Sequence, residues 1–499
     1  MTTSRRDFLK GLACFGALGA AGCASSRSIF GILRSGRRGG KVRLAVVGIW
    51  GKGYEDMKWF LKHGKVEIAA ICDCDRNMLP LAQAQLVKDG FDLDLSKIPF
   101  YTDYRRMLDD NSKLGIEAMQ ISTPDHMHAP IAIRAMTMGI PVYVQKPLVR
   151  TLWELERFKK TAKEYGVITQ MGNQGSSGSD FRRGVEVLQS GLIGDVSEVH
   201  VWTNRPVWPQ GNWAKELLKT PDSAVPEGLD WDAWIGTAKM RPYKGERGVD
   251  PRDYPWCVKV GNTKVYHQFN WRGFTDFGAG ALGDMASHLM NLPYRGLRLG
   301  AMAWANCRLA TEVNPGIYPA TSIVDIGFEG RPELKFTWYE GCLKPDPEIT
   351  APILKVEKEL PVGGCVIVGS KGTVYSTNNY GQIIYLMMNG EEKPTPILEH
   401  EACRNLAQTL PRRAEPRTTG NYGEFIDAIL EETPYIEEVH SRCYGDIEHS
   451  VPLMEGMLAA CAAQCVPGTK LSWDTRTQRF DNDAANAMIK PYIRSGWEF

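Results

Sequence analysis

The sequence has no C-x-x-C pair, no zinc-finger spacing, no internal repeat and no low-complexity segment. It has no apolar run long enough to cross a bilayer, and no excess of either charge: 59 Lys and Arg stand against 58 Asp and Glu. Each absence removes a class of protein. Balanced charge, with basic runs confined to the leader and its linker, argues against a nucleic acid as partner. Cysteines without paired spacing argue against a disulfide framework or a structural metal. Of the 12 cysteines, Cys14 and Cys23 fall in the leader region, and the remainder read as mostly free, buried thiols.

Two features are present near the start. Ser4-Arg5-Arg6-Asp7-Phe8-Leu9-Lys10 is a twin-arginine export signal, the mark of a chain exported already folded. The apolar stretch Gly11–Ala21 behind it is about 11 residues, short of the roughly 20 that span a bilayer. It ends in Ala20-Ala21-Gly22-Cys23, which is similar to a lipobox whose cysteine is acylated; ordinary cleavage after small residues is the alternative. Residues 1–40 are thus assigned to signal and linker. The expected location is the periplasm, with a lipid anchor at Cys23 as the one route to a membrane.

The second feature follows at once. Val42–Val47 is a buried strand, and it runs into Gly48, Gly51 and Gly53. Glycines after a strand allow a tight turn and let backbone approach a pyrophosphate. The middle glycine of the usual fingerprint is displaced by Trp50, so Gly51 comes one place late. Asp73 ends the next strand, where a carboxylate accepts ribose hydroxyls and repels a 2′-phosphate, favouring NAD over NADP.

Strands at Val42–Val47, Val66–Cys72, Ala118–Ser122, Val142–Val144 and Val167–Met171 alternate with helical patterns such as Glu55–His63 and Asp103–Leu108. That alternation predicts an α/β protein whose N-terminal Rossmann domain, residues 41–166, is a doubly wound parallel sheet. The texture then changes. Val196–Val201, Met302–Arg308, Thr321–Phe328, Glu333–Tyr339 and Gly364–Val368 alternate apolar and polar residues, predicting an open, mainly antiparallel sheet over residues 167–499. Asp180–Ser190, Gly283–Gly296 and Tyr422–Glu431 read as its helices, and Thr203–Tyr266 as a long irregular insertion.

Three clusters carry chemistry. Thr123-Pro124-Asp125-His126-Met127-His128 follows a strand, at the end where such sheets bind ligands; the two histidines lack a third metal ligand, and no metal is expected. Lys146-Pro147 ends another strand, and its ammonium reads either as a substrate contact or as a solvated strand-end lysine. Asp284 and His288 stand four apart, on one helix face, either as an acid–base unit or as a helix-end ion pair.

Together these segments resemble the glucose–fructose oxidoreductase / inositol dehydrogenase / MocA family (Gfo/Idh/MocA). The resemblance extends through Gly172-Asn173-Gln174, Gly191-x-Ile193-Gly194-Asp195, Trp208-Pro209-Gln210-Gly211, the Leu229–Gly236 segment and Gly283-Asp284-Met285-x-x-His288. The ending Arg494-x-Gly496-Trp497 is similar to the secreted twin-arginine branch. The family implies catalytic roles for Lys146, Asp284 and His288, with His288 as base, Lys146 on the reacting hydroxyl and Asp284 supporting the base. It implies NAD contacts from Gly48, Gly51, Gly53, Asp73, Thr123, Pro124, His126 and Lys146. Many members carry Glu where this chain has Gln145. The family's second sheet commonly forms contacts between subunits, so a homo-oligomer is expected.

The leading expectation is an NAD-dependent oxidoreductase acting on a secondary hydroxyl of a sugar, glycoside or cyclitol. Export would strand a free cofactor, so NAD is expected to be tightly bound. The alternatives are a redox glycoside hydrolase that oxidises, eliminates, adds water and re-reduces with retained NAD, and a non-catalytic carbohydrate-binding surface lipoprotein.

Overall fold

The computed structural model describes residues 40–245, 264–412 and 417–499. The export signal, Cys14, Cys23 and Cys257 therefore lie outside the described residues. The first sheet contains β1 (Val42–Val47), β2 (Val66–Cys72), β3 (Phe100–Tyr101), β4 (Ala118–Ile121), β5 (Val142–Val144) and β6 (Thr169–Met171). Every pairing in it is parallel, and its order is β3-β2-β1-β4-β5-β6. The order reverses between β1 and β4, which makes the crevice beyond their carboxyl ends the place where a ligand enters. Because β6 closes this sheet, the parallel domain continues past the boundary drawn at residue 166.

Central strands of a parallel sheet are covered on both faces, which is why β1 and β4 are almost continuously apolar. One face carries the helices Tyr104–Asp109, His128–Thr137 and Leu152–Tyr165. The last of these starts at a reciprocal capping box made by Thr151 and Glu154. The other face carries the helices Lys52–Lys62 and Met78–Lys88 and then borrows a third. Tyr422, Phe425, Ile426 and Ile429 of the helix Arg417–Leu430 pack into the cluster formed by Phe60, Tyr143 and the strand side chains. Sequence placed this helix in the second domain; its apolar face completes the first.

The second sheet has ten strands, in the order β14-β13-β12-β11-β7-β10-β9-β8-β15-β16. Its long members are β7 (Val196–Trp202), β8 (Met302–Thr311), β9 (Thr321–Phe328), β10 (Arg331–Glu340) and β11 (Gly364–Gly369). After them come β12 (Gly372–Ser376), β13 (Ile384–Met388), β14 (Thr395–Pro396), β15 (Lys470–Asp474) and β16 (Arg479–Phe480). β7 and β10 pair in parallel, and the neighbouring pairs are antiparallel. One face joins the main core with the helices Ser179–Gln189, Gly280–Leu289 and Ile447–Gln464. On the opposite face Trp202, Tyr339, Val366 and Tyr375 are covered by the chain's own Leu343, Ile349, Ile353 and Leu360.

The single helix expected over 283–296 is two, Gly280–Leu289 and Asn291–Gly296. Pro293 has no N–H to give the Leu289 carbonyl, so the first helix ends there. The irregular insertion contains two short helices, Gly211–Leu217 and Trp231–Ile235. All nine described cysteines are free; Cys342 is exposed and the others are buried or partly so. No helix among the described residues is long and apolar enough to cross a membrane.

The glycine turn is fixed by close packing as well as by backbone angle. Gly48 sits at φ 81°, and a Cβ there would lie 2.5 Å from the Ser122 carbonyl oxygen. At Gly53 a Cβ would lie 2.0 Å from the Gly48 oxygen. Both obstacles are backbone, so neither can rotate away. Gly53→Ala is expected to destabilise the fold by about 2–3 kcal/mol, as for a tightly overpacked core position, read as a lower urea midpoint at unchanged m-value.

Candidate active site

A cavity of about 590 Å³ opens at the carboxyl ends of β1 and β4. Gly48, Trp50, Gly51, Asp73, Thr123 and Pro124 line one end; Lys146, Asp284 and His288 line the other. Sequence clusters more than 100 residues apart thus meet in a single crevice.

At the nucleotide end, Asp73 Oδ2 accepts from Ile49 N at 2.9 Å and Oδ1 from Asp75 N at 3.0 Å. Burial pushes the Asp73 carboxyl up to about 6 against these two bonds, so it is still ionised at neutral pH. Each oxygen keeps a lone pair for a ribose hydroxyl. A Cβ added at Gly51 would meet nothing within 4 Å, and the residue stands as N-cap of the helix Lys52–Lys62. The open backbone and the helix N-terminus are what a pyrophosphate requires. Trp50 is half-buried, lines the cavity and tilts against Tyr54 with centroids 6.2 Å apart. The displaced glycine therefore leaves the turn intact, and the residues present fit NAD.

His126 departs from the expectation that it contacts the cofactor. It is fully buried behind the cavity, its Nε2 is 3.0 Å from the Trp234 carbonyl, and its ring packs edge-on against Phe277. Burial pushes it down to about 3. Here the neighbouring aromatic insertion, invisible in the local motif, has captured the side chain. His128 is buried as well, with Nδ1 2.7 Å from the Pro147 oxygen and Nε2 2.9 Å from the Thr123 oxygen. It ties the Thr123-Pro124 turn to the Lys146-Pro147 turn.

At the other end, Lys146 Nζ donates to Asp284 Oδ1 at 2.8 Å and to the Asp284 carbonyl at 3.0 Å. Arg272 Nε reaches the same Oδ1 at 3.3 Å. Burial alone would raise the Asp284 carboxyl, but Lys146 and Arg272 outweigh it and hold the group well below the ordinary carboxylate range. His288 is buried one helical turn on, and its ring meets Tyr380 edge-on with centroids 4.8 Å apart. Burial first, and then the Lys146 charge, push His288 well below the usual histidine range. At neutral pH the site therefore holds an anionic aspartate, in contact with the lysine, and an uncharged imidazole. Among the described residues the hydrogen bonds to the Asp284 carboxylate come from Lys146 and Arg272, none from His288. Asp284 thus positions the lysine directly and acts on the histidine through its field alone.

Several residues of the site escaped the sequence motifs. Asp56, fully buried, accepts from Lys52 Nζ at 2.5 Å, Ser122 Oγ at 2.7 Å, Tyr422 Oη at 2.7 Å and Gln145 Nε2 at 2.9 and 3.0 Å. Its spacing from Lys52, four residues on one helix, was the only local sign. Gln145 is also explained: its amide donates to a buried carboxylate, where a glutamate would oppose one. Arg272 and Tyr380 line the cavity with no motif of their own, and Trp497 of the Arg494-x-Gly496-Trp497 ending lines it without the motif having marked it as a site residue. Arg205 and Trp208 of the insertion line it too, whereas Trp213 packs in the aromatic cluster around Trp231 and Trp234. Among the described residues no group of three or more His, Cys, Asp or Glu is placed to hold a metal ion.

A six-stranded parallel sheet with this order, a glycine turn and a carboxylate after β2 define a dinucleotide-binding protein. Residues 42–173 match the Gfo/Idh/MocA family model, described as an oxidoreductase family with an NAD-binding Rossmann fold. Among curated relatives, a glycosyl hydrolase family 109 protein of Solibacter usitatus is 30% identical over 200 residues, 39% of this chain and 44% of that one. One from Shewanella woodyi is 31% identical over 159 residues, 31% of this chain and 32% of that one. The matches therefore span less than half the length of these relatives. Among solved structures, an inositol dehydrogenase homolog of Azotobacter vinelandii, complexed with NADH and myo-inositol, shares the fold at TM-score 0.56 and 15% identity, covering 87% of this chain and 98% of that one. The WlbA dehydrogenase of Bordetella pertussis, in complex with NADH and UDP-GlcNAcA, shares it at TM-score 0.54 and 17% identity, covering 87% and 99%.

Gln145→Glu is expected to place two carboxyls in buried contact, so that one of them titrates far above its ordinary range. The folded state then holds a proton that the unfolded state releases, and stability falls as pH rises. The variant should lose about 3 kcal/mol near pH 8 and less near pH 5, measured by denaturant titration at both values.

Proposed function

We propose that this chain is an NAD-dependent oxidoreductase that oxidises a secondary hydroxyl of a sugar, glycoside or cyclitol. The observation that carries the reading is the single cavity shared by the nucleotide end and the Lys146–Asp284–His288 set. The glycine turn, Asp73, Thr123 and Pro124 would hold NAD, which when bound supplies the acceptor for the hydride leaving the hydroxyl-bearing carbon. His288, uncharged and buried, takes the hydroxyl proton. Lys146 donates a hydrogen bond to the same oxygen and steadies the negative charge that grows on it. Asp284, gripping Lys146 by both carboxylate and carbonyl, keeps the ammonium aimed at that point.

A second reading shares this first step. The curated relatives are named glycosyl hydrolases, which favours oxidation followed by elimination, water addition and re-reduction, with net hydrolysis of a glycoside. An enclosed cofactor suits either outcome. The segment around Trp234 closes over β2, with Asp230 N donating to the Cys74 oxygen at 2.7 Å. The chain's last residues fold back so that Trp497, 4% exposed, lines the cavity under the Arg105 guanidinium at 3.7 Å. Retention of NAD by these covers accords with export by the twin-arginine route to the periplasm. A lipid anchor at Cys23 and assembly into a homo-oligomer complete the proposal.

Incubation with a panel of glycosides separates the outcomes: NADH accumulation marks net oxidation, and aglycone release at constant cofactor absorbance marks net hydrolysis. In either case His288→Ala should lower kcat by about 10²–10⁴-fold while NAD still binds. Because the His288 pKa is depressed, its basic form persists as pH falls through the ordinary histidine range. The acid limb of kcat/KM should therefore lie below pH ~6.5. Trp497→Ala should speed NAD dissociation by about tenfold, read by stopped-flow fluorescence.

A further inference from the structure

The charges around the substrate end of the cavity do not balance. Lys146 and Arg272 share the Asp284 carboxylate in direct contact, and both also act on the buried Asp125 carboxyl, which burial pushes up to about 7. Lys52 is matched by Asp56. Arg205 has no carboxylate at all among the described residues: its Nη1 donates to the Asn204 amide oxygen at 2.5 Å, an uncharged acceptor. Its backbone, in contrast, is fixed, since its carbonyl accepts from Gly341 N at 2.6 Å and its N–H donates to Thr203 Oγ1 at 3.3 Å. The side chain is half-buried in the cavity wall, where its charge is felt at the hydroxyl of Tyr380, the residue packed on His288. Arg272 is engaged differently. Its Nη1 donates to the Phe269 carbonyl at 3.0 Å and its guanidinium stacks 4.3 Å from the centroids of both Phe269 and Trp271.

A half-buried cation without a counter-ion is costly unless a ligand supplies one. Guanidinium forks match carboxylate and sulfate oxygens in pairs. A neutral sugar would leave the Arg205 charge in the cavity wall without a counter-ion among the described residues. We propose that the substrate is an anionic sugar, a uronic acid or a sulfated hexose, whose charged group is received by Arg205 while the reacting hydroxyl lies against Lys146 and His288. This rests on the oxidoreductase reading for its chemistry and adds the substrate class and a specificity-determining residue. Selection then comes from a charge that a neutral sugar fails to satisfy, and the aromatic wall behind Arg272 serves both kinds of ligand equally.

The test uses the NAD-loaded protein with methyl hexopyranosides, the matching methyl hexuronides and hexoside 6-sulfates. Wild type should prefer one anionic class over its neutral counterpart, and the class preferred tells carboxylate from sulfate. Arg205→Gln should raise KM for that class by about 30-fold with kcat changed less than about threefold. Arg205→Lys should recover part of the loss, and neutral hexosides should be unaffected by either change. Equal effects of Arg205→Gln on neutral and anionic sugars, or a wild-type preference for neutral ones, would overturn the proposal. Binding to the NAD-loaded His288→Ala protein, followed by calorimetry, separates this inference from the reaction itself. Anionic sugars that bind through Arg205 but are never oxidised by wild type uphold the site and remove the oxidoreductase reading. Turnover of neutral sugars alone does the reverse. Should Arg205→Gln fail to fold, Arg205→Lys and the salt dependence of wild-type binding decide the matter: anionic-sugar affinity that does not fall with ionic strength sinks it.

Discussion

Asp56 is the residue on which the crevice depends. A carboxylate with no exposure must have its charge met by donors, or the fold carries the full cost of desolvating it. Here the donors come from four separate parts of the chain: Lys52 just after the glycine turn, Ser122 after β4, Gln145 after β5, and Tyr422 from the borrowed helix. Each of the first three is next to a residue that lines the nucleotide end or the reacting end. Satisfying one buried charge thereby fixes the turn, the wall and the approach to Lys146 in register with one another.

The same reasoning explains the reacting end. Two cations share Asp284, so the carboxylate stays ionised in a buried place and the lysine is held from two sides. With cations nearby and water excluded, the cheapest state for His288 is the uncharged one, which is also the state that can accept a proton. Stability and chemistry are set here by one arrangement of charges, because each buried group decides the protonation of the next.

Much of the fold was legible in the sequence for reasons of period and burial. Buried parallel strands read as unbroken apolar runs, and the ranges Val42–Val47, Val66–Cys72 and Val142–Val144 coincide with the observed strands. The second sheet announced itself by alternation, with Thr321–Phe328 observed as read. What periodicity does not carry is partnership. The helix Arg417–Leu430 has a clear apolar face, but nothing in its pattern says that the face belongs to the first sheet. Nor does a loop histidine declare whether it will face a ligand or, like His126, an aromatic wall supplied from a hundred residues later.

The sequence by itself determined the nucleotide turn, the carboxylate after β2 and the spacing of Lys146, Asp284 and His288, because those signals are local and their chemistry follows from residue type. Tertiary structure alone decided that Asp284 grips Lys146 rather than His288, that Gln145 answers a buried Asp56, and that Arg205 enters the cavity without a counter-ion among the described residues. These are matters of which distant charges come within a few ångströms of one another. Electrostatic pairing in a buried crevice depends on distance through space, and distance along the chain carries almost no information about it.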